Sequence, residues 1–355
     1  MVMSPLVIEV RRGAVGDLAS VLADQRISAH GVVAVIVGSG IGERINAELA
    51  GGLDNADVFT ATDGSLDVAT EIEQALRQRS YDAVVGIGGG KTIDVAKYVA
   101  SRLGLPMVSV ATSLAHDGVS SPVATLEHGG GSGSYGVHIP VAVLVDLDYV
   151  HAAPPRHVRS GIGDLVSNIS ATADWQLAHA ERGEPVDGLA LSLARVGAEA
   201  VLNRTDGIES DAFLVVLAEG LVLSGLAMAV AGSSRPCSGA CHEISHAMDG
   251  LYPKHGTHGE QVALGALFAT WLRGDLDSAV TLRDCLARHG LPTRPADLGL
   301  RDAEFAAAVA AAPATRPGRF TVLERCGIDE ADAGRCTASF LDWEAAHQGE
   351  GSHQG

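Results

Sequence analysis

Four short runs of apolar, largely β-branched residues within the first 150 positions constrain the fold more than any other feature of this sequence. Segments with helical periodicity, notably residues 66–79 and 92–103, lie between the runs. Apolar runs without polar alternation are typical of parallel strands that are covered on both faces. The repeated order of strand, helix and strand therefore predicts a parallel, doubly wound α/β sheet. The runs are residues 32–38 (VVAVIVG), 83–87 (AVVGI), 107–110 (MVSV) and 141–145 (VAVLV).

The pattern changes after the Pro154-Pro155 pair. Residues 159–347 are rich in alanine and leucine, follow helical periodicity and contain few β-branched runs. This pattern favours an all-helical second domain. A chain of 355 residues is long enough for two domains. We therefore expect an α/β N-terminal domain over residues 1–155 and a helical C-terminal domain over residues 156–355.

Charge and hydropathy argue against several classes of partner. Acidic residues outnumber basic ones 43 to 25, and the net charge of −18 disfavours nucleic acid and anionic membrane surfaces. The apolar stretch 212–231 is long enough to span a membrane, but Glu219 near its middle favours a buried core helix. The N-terminus lacks the apolar segment of a secretory signal. We therefore expect a cytoplasmic protein with no membrane insertion.

The five cysteines provide no disulfide framework, because their number is odd and the chain is long. Cys237 and Cys241 stand four positions apart beside a histidine, a spacing that raises the question of zinc ligation. A structural zinc site of this kind needs a second cysteine pair, and none is present. We interpret both cysteines as small packing residues in a reducing compartment.

A glycine-rich turn at residues 86–94 (GIGGGKTID) stands where a predicted strand ends and a predicted helix begins. Glycines let a backbone approach a pyrophosphate closely, and the free N–H groups at a helix start bind phosphate oxygens. The turn is therefore a candidate dinucleotide site, with a tight strand–helix connection as the alternative. Ser39 and Gly40 follow an earlier strand where dinucleotide folds often carry an acid that selects NAD, so NADP is also compatible. The glycine-rich segment 128–136 (HGGGSGSYG) is expected to form a β-hairpin.

The second half of the sequence carries a histidine cluster. Residues 242–246 (HEISH) match the HExxH pattern of zinc peptidases, which would make both histidines metal ligands and Glu243 the general base. The surrounding α/β and helical pattern argues against a peptidase, and short motifs recur by chance. Four histidines fall within 17 positions, namely His242, His246, His255 and His258.

A second ligand set combines residues that are far apart in the sequence. Asp164 lies at a predicted helix start after two glycines, and His242 and His258 belong to later predicted helices. One carboxylate and two imidazoles form a three-ligand site that leaves a coordination position open for substrate or water. Nitrogen and oxygen ligands of this kind suit zinc or another divalent ion.

Five segments, in this order, resemble the sn-glycerol-1-phosphate dehydrogenase family, within the larger group of iron-containing alcohol dehydrogenases, glycerol dehydrogenases and dehydroquinate synthases. The resemblance implies a dehydroquinate synthase-like fold, with a Rossmann-like α/β N-terminal domain and an all-helical C-terminal domain. The segments are residues 86–100 (GIGGGKTIDVAKYVA), 109–125 (SVATSLAHDGVSSPVAT), 160–178 (SGIGDLVSNISATADWQLA), 233–249 (SSRPCSGACHEISHAMD) and 255–265 (HGTHGEQVALG).

The resemblance also implies roles for individual residues. Asp164, His242 and His258 match zinc ligands, and Asp164 also contacts substrate. Asp117 and His246 match substrate contacts and are candidates for the proton relay, so that His246 is not a ligand. The residues that match NAD or NADP contacts are Gly88, Gly89, Gly90, Lys91, Thr92, Asp94, Thr112, Ser113 and Ser121.

The activity implied by the resemblance is the reversible reduction of dihydroxyacetone phosphate to sn-glycerol 1-phosphate with NADH or NADPH, a step of phospholipid biosynthesis. We also expect a homo-oligomer. Two alternatives stay open: a dehydroquinate synthase-like cyclase or lyase that retains NAD, and a dehydrogenase of another polyol or ketose phosphate. A phosphorylated substrate needs local cations in so acidic a chain. The basic residues nearest to the motifs are Arg159, Arg235 and Lys254, and for each of them an ordinary surface or capping charge is the favoured alternative.

Overall fold

The computed structural model describes residues 4–40, 44–45 and 55–347. These residues form two compact units, and the division between the units falls between Val158 and Arg159. The strands are β1 (Val7–Arg11), β2 (Val33–Gly38), β3 (Ala56–Ala61), β4 (Ala83–Gly88), β5 (Met107–Ala111), β6 (Val123–His128), β7 (Gly131–Gly136) and β8 (Ala142–Asp146).

The N-terminal unit is built on a six-stranded sheet with the order β1-β8-β5-β4-β2-β3. All neighbouring strands in this sheet are parallel. The four apolar runs of the sequence form its four central strands, in which nearly every residue is buried. The predicted parallel α/β sheet is therefore confirmed.

The two edge strands were not predicted from the sequence. Strand β1 (VIEVR) carries two charged residues, and β3 (ADVFTA) exposes part of its length to solvent. An edge strand has a neighbour on one side only, so its sequence need not be continuously apolar. The apolar pattern that marks the central strands is therefore absent from both edges.

Helices cover both faces of the sheet, which explains the continuous apolar runs. On β2, Val33, Val35 and Val37 belong to the apolar cluster on one face, while Ala34 and Ile36 belong to the cluster on the other. Neighbouring residues of a strand point to opposite faces, so both sets are buried. The helices that the structure describes in this unit are α1 (Leu18–Leu22), α2 (Leu66–Leu76), α3 (Gly90–Leu103) and α4 (Leu147–Ala152).

Strands β6 and β7 pair antiparallel as a separate two-stranded sheet. The turn between them consists of Gly129 and Gly130, with φ angles of 60° and 83°. Two consecutive positive φ angles are the requirement of a type I′ hairpin turn, which glycine meets without strain. The hairpin predicted at the glycine-rich segment is confirmed.

The described residues of the C-terminal unit form helices and short turns and no strand, as predicted. Its first helix begins before the division between the units. The helices are α5 (Pro155–Val166), α6 (Asn168–Arg182), α7 (Gly188–Leu202), α8 (Asp211–Ala231), α9 (Ala240–Leu251), α10 (His258–Leu272), α11 (Leu276–Arg288), α12 (Asp302–Thr315), α13 (Val322–Cys326) and α14 (Glu330–His347).

Helix α8 contains the apolar stretch that is long enough to cross a membrane. In the structure, 61% of the most apolar 18-residue stretch of this helix is buried inside the protein. It packs on α7 with backbone contact, because a Cβ atom added at Gly197 would lie 3.0 Å from the carbonyl oxygen of Gly220. Glycines at this crossing let the two helices approach closely, as expected for a core helix.

Candidate metal and cofactor sites

Three side chains from three helices meet in the C-terminal unit. Asp164 lies near the end of α5, His242 in the first turn of α9, and His258 at the first position of α10. The Oδ1 atom of Asp164 is 3.7 Å from Nε2 of His242 and 3.6 Å from Nε2 of His258. One ligand atom of each side chain lies within 4.8 Å of the other two. The structure thus brings together the three residues of the second ligand set.

Two glycines place Asp164 beside His258. A Cβ atom added at Gly259 would lie 1.8 Å from the carbonyl oxygen of Ser160, and one added at Gly163 would lie 2.2 Å from that of Gly259. The backbone N–H of Gly259 also donates a hydrogen bond to Oγ of Ser160, at 3.1 Å. Helices α5 and α10 therefore touch backbone to backbone at the positions next to the two ligands.

A third glycine places His242 beside His258. A Cβ atom at Gly265 would lie 2.7 Å from the carbonyl oxygen of Cys241, so α9 and α10 cross closely at this point. Farther along α9, the hydroxyl of Ser245 donates to Oε1 of Gln261 at 2.8 Å. The ring centres of His242 and His258 are consequently 5.2 Å apart.

The donor set fits a divalent metal ion. Asp164 is almost entirely buried, and a buried carboxylate is stable only next to positive charge or hydrogen-bond donors. Burial, followed by the positive charges of neighbouring side chains, lowers the pKa of His242 well below its ordinary value. A neutral imidazole is the form that binds a metal. The Nδ1 atom of His242 contacts Sγ of Cys241 at 3.4 Å, which leaves Nε2 facing Asp164.

The remaining residues of the HExxH pattern do not complete a peptidase site. His246 is outside the three-residue group, and its ring centre is 6.3 Å from that of His242. Glu243 is fully buried, and its Oε2 atom accepts a hydrogen bond from Thr321 at 3.1 Å. Burial raises the pKa of Glu243 to about 8. His255 is turned toward the carbonyl oxygen of Leu298, 3.0 Å away.

Burial and three neighbouring side chains act on the pKa of His246. Burial, followed by the charges of Arg316, His258 and Arg319, lowers the pKa of His246 to about 4. The two arginines lie just after α12, in a segment that the sequence analysis did not select. The sequence Arg-Pro-Gly-Arg is typical of a tight turn, and it could have indicated that the two arginines lie close together.

Arg235, one of the basic residues nearest to the motifs, is paired with other protein groups. Its guanidinium binds both carboxylate oxygens of Glu184, at 2.7 and 2.6 Å, and the carbonyl oxygen of Phe320 at 2.7 Å. It is 5% exposed, so the structure favours an ordinary structural charge over a phosphate contact. Lys254 is exposed in a left-handed backbone conformation. Cys237 and Cys241 are buried free thiols, in agreement with a packing role.

The glycine turn of the N-terminal unit lies where strand β4 ends and α3 begins. A side chain at any of three glycines of this turn would crowd a neighbouring side chain, most severely at Gly88 and Gly90. A Cβ atom at Gly88 would lie 2.8 Å from Thr92, one at Gly89 3.2 Å from Oγ of Ser113, and one at Gly90 2.2 Å from Nε2 of His116. A backbone this bare at a helix start is suited to binding a pyrophosphate.

The other predicted cofactor residues lie around the carboxyl ends of β4 and β5. The backbone N–H of Thr112 donates to the carbonyl oxygen of Gly88 at 3.0 Å, and Ser121 follows in the next loop. Two side chains of α3 have protein partners: Lys91 pairs with Glu127 at 2.7 Å, and buried Asp94 pairs with Lys97 at 2.8 Å.

Asp117 and His116 occupy the loop after β5. Asp117 begins a short 3₁₀ turn, and its carbonyl oxygen accepts hydrogen bonds from the N–H groups of Ser120 and Ser121, both at 3.0 Å. The Nδ1 atom of His116 accepts from the N–H of Gly118 at 2.9 Å. His116 was not predicted from the sequence, because its contact with the glycine turn depends on the tertiary structure.

The fold and the metal-ligand group define a class of protein. A parallel α/β unit followed by a helical unit is the architecture of the dehydroquinate synthase-like iron-containing alcohol dehydrogenases. The family model described as iron-containing alcohol dehydrogenase matches residues 9–154. Two solved structures share the fold over almost the whole chain.

The first is a probable glycerol dehydrogenase from Sinorhizobium meliloti 1021, with a TM-score of 0.79, 24% identity and coverage of 98% of this chain and 99% of that one. The second is glycerol dehydrogenase from Schizosaccharomyces pombe, with a TM-score of 0.77, 21% identity and coverage of 98% of this chain and 92% of that one. At these identities the likeness shows the fold alone.

Sequence relatives give the family. A glycerol-1-phosphate dehydrogenase of Hyperthermus butylicus is 37% identical over 97% of this chain and 95% of its own length. One of Thermofilum pendens is 40% identical over 92% and 94%, and one of Archaeoglobus fulgidus is 43% identical over 69% and 71%. All three names specify NAD(P)+. The chain belongs to the glycerol-1-phosphate dehydrogenase family, as the resemblance of its motifs implied.

Proposed function

We propose that this protein reversibly reduces dihydroxyacetone phosphate to sn-glycerol 1-phosphate with NADH or NADPH. The observation that carries the proposal is the group formed by Asp164, His242 and His258 in a chain of this family. An alcohol dehydrogenase must stabilise the negative charge that develops on the substrate oxygen as hydride reaches the carbonyl carbon. The group is built for a cation that meets this need.

Asp164, His242 and His258 would hold the metal, which we take to be zinc or another divalent ion. When bound there, a divalent cation supplies a Lewis acid for the substrate oxygen. The protein contributes three ligands and leaves further coordination positions open to substrate. Asp164, buried and shared between both histidines, also sets the orientation of the site.

The glycine turn would bind the pyrophosphate of the cofactor. Gly88, Gly89 and Gly90 expose backbone at the start of α3, where the helix dipole favours negative charge. The hydroxyl of Ser113 lies beside Gly89. Thr112 and Ser121, together with Thr92 and Asp94 of α3, would add further contacts with the cofactor. No acidic residue directly follows β2 at Ser39 and Gly40, so the chain accepts either NAD or NADP.

His246 and Asp117 would contact the substrate and relay the proton. Burial, followed by the charge of Arg316, lowers the pKa of His246 to about 4, so its imidazole is neutral at pH 7 and offers one hydrogen-bond donor and one acceptor to the substrate. Asp117 follows β5, the strand whose end also carries cofactor residues. We further propose a cytoplasmic homo-oligomer without membrane insertion.

The decisive experiment combines metal analysis with a cofactor assay. Purified protein should contain a divalent metal and oxidise NADH or NADPH steadily when dihydroxyacetone phosphate is added. The product should resist an enzyme specific for sn-glycerol 3-phosphate. NAD that survives purification and shows no net turnover would indicate the dehydroquinate synthase-like alternative. Preference for another compound in a panel of ketose phosphates would indicate a different substrate.

A further inference from the structure

A tight turn brings two arginines to the same place beside α9. The turn is Arg316-Pro317-Gly318-Arg319, and the backbone N–H of Arg319 donates to the carbonyl oxygen of Arg316 at 3.1 Å. Gly318 has a φ angle of +88°, which suits glycine at the third position of a type II turn after proline. The first and last residues of such a turn lie close together, so the side chains of both arginines start from neighbouring backbone positions.

Both guanidinium groups share one hydroxyl partner. Nη1 of Arg316 lies 3.4 Å and Nη2 of Arg319 lies 3.1 Å from Oγ of Ser234. Arg319 also donates to the carbonyl oxygen of Ser238. Ser234 and Ser238 belong to the segment that leads directly into α9, the helix that carries His242 and His246.

A further contact joins the start of this turn to α9 itself. The hydroxyl of Thr315, the last residue of α12, lies 3.4 Å from the carbonyl oxygen of Glu243. Glu243 stands directly after His242 on α9. The arginine turn is therefore anchored at the first turn of α9, and its positive charge reaches both His242 and His246.

The arginine pair has no close counter-charge among residues 4–40, 44–45 and 55–347. No carboxylate oxygen of those residues lies within 4 Å of either guanidinium group, whereas neighbouring Arg235 is bound to Glu184 at 2.6 Å. Both side chains are partly buried. Burial, followed by the repulsion of Arg316, lowers the pKa of Arg319 to about 10. Two partly buried cations side by side destabilise the fold unless an anion joins them.

We propose that Arg316 and Arg319 bind the phosphate group of the substrate. The inference rests on the proposed function, because in dihydroxyacetone phosphate a single methylene group separates the carbonyl carbon from the phosphate ester. A phosphate receptor must therefore lie next to the residues that hold the carbonyl. Paired guanidinium groups match phosphate oxygens in geometry as well as in charge. They also resolve how a chain with a net charge of −18 accepts a dianionic substrate.

The test compares a phosphorylated substrate with its unphosphorylated counterpart. Arg316→Gln and Arg319→Gln are assayed with dihydroxyacetone phosphate and with dihydroxyacetone, using the holoenzyme. We expect KM for the phosphate ester to rise roughly 10- to 100-fold, the loss of one charged hydrogen bond. The value of kcat/KM for dihydroxyacetone should fall by a much smaller factor, because this compound carries no phosphate. Arg319→Lys keeps the charge and should give an intermediate KM. This variant replaces Arg319→Gln in the test if the glutamine variant does not fold.

The matched control is Arg335→Gln, which removes an exposed arginine of α14 paired with Asp332 and should match the wild type with both substrates. An equal loss with both substrates, or an unchanged KM for the phosphate ester, would overturn the proposal.

A second measurement separates this inference from the proposed function. Inorganic phosphate should raise the Tm of the wild-type holoenzyme and of Arg335→Gln, but not that of Arg316→Gln or Arg319→Gln. If the wild type does not reduce dihydroxyacetone phosphate and the Tm pattern is as described, the proposed function fails and the phosphate site stands. If the wild type reduces it and all four proteins respond equally to phosphate, the phosphate site fails and the proposed function stands.

Discussion

The Nε2 atom of His242 lies 3.7 Å from the Oδ1 atom of Asp164, and both side chains are largely screened from solvent. A buried carboxylate facing two imidazole nitrogens is an arrangement that gains most from a cation between them. The close backbone contacts of Gly163 and Gly259 hold the carboxylate in place. The metal site therefore depends on helix packing as much as on its ligands.

Replacing Asp164 by alanine should abolish metal retention. The change removes the single anionic ligand of the group, so affinity should fall by more than the roughly 10- to 100-fold that loss of an outer-shell partner costs. Metal content after dialysis, measured by elemental analysis, checks this. Asp302→Asn, at an exposed position in the first turn of α12, is the control and should retain metal. Full metal content in Asp164→Ala would remove Asp164 from the ligand set.

Replacing His246 by glutamine should leave the metal bound and reduce turnover. His246 lies outside the ligand group, but a proton relay contributes roughly 100- to 10,000-fold to a rate. Bound metal and kcat are measured on the same preparation. The peptidase hypothesis predicts instead that His246→Gln loses the metal, because His246 would then be a ligand. Loss of metal together with activity would thus speak for HExxH ligation.

Replacing Gly90 by alanine should weaken cofactor binding. The new methyl group would lie 2.2 Å from Nε2 of His116, so the imidazole or the helix start has to move. We expect a higher KM for NADH or NADPH and a stability loss of about 1–3 kcal/mol, typical of overpacking. Gly188→Ala, where a Cβ atom meets nothing within 4 Å, is the control. An unchanged cofactor KM in Gly90→Ala would exclude the turn as a close contact.

Replacing Lys97 by methionine should destabilise the N-terminal unit. Lys97 is 1% exposed, its Nζ lies 2.8 Å from Oδ1 of Asp94, and it also donates to the carbonyl oxygen of Ser121 at 3.3 Å. Loss of one partner leaves a buried charge uncompensated, at a cost of about 3–5 kcal/mol. Urea unfolding measures the loss, and adding Asp94→Asn to the variant should recover part of it.

The control for this prediction lies six residues earlier on α3. Lys91 and Glu127 form an ion pair at 2.7 Å, with side chains 71% and 55% exposed. Lys91→Met should change the free energy of unfolding by less than about 1 kcal/mol, because solvent screens an exposed pair. Equal losses in the two methionine variants would show that burial of the Lys97 pair does not matter.

The sequence predicted those parts of the fold whose burial is uniform. Strands β2, β4, β5 and β8 lie in the middle of the sheet, and their continuous apolar runs follow from helices on both faces. Strands β1 and β3 were not predicted, because strands at the edges of the sheet are partly exposed to solvent and need not be continuously apolar. The hairpin was predictable because only glycine tolerates two consecutive positive φ angles cheaply.

The three metal ligands could be predicted from the resemblance of five ordered segments to a known family, but not from the spacing of the residues in the sequence. Spacing alone favoured His246 as a partner of His242, since positions four apart share a helix face. Asp164 and His258 are neighbours because glycines at 163 and 259 let two helix backbones touch. The sequence places Arg235 near the motifs, but only the structure shows that its guanidinium binds the carboxylate of Glu184.

By itself, the sequence determined the central strands, the helical character of the second half, the glycine turn at a helix start and the family of the chain. The first three are local properties, set by backbone conformation and by hydrophobic periodicity along the chain. Only the tertiary structure decided which charged side chains meet and which are already paired. Asp164 reaches two histidines, Arg235 is neutralised, and Arg316 and Arg319 stand together without a carboxylate within 4 Å among the described residues. Electrostatic roles depend on distance and burial, and neither is a property of position in the sequence.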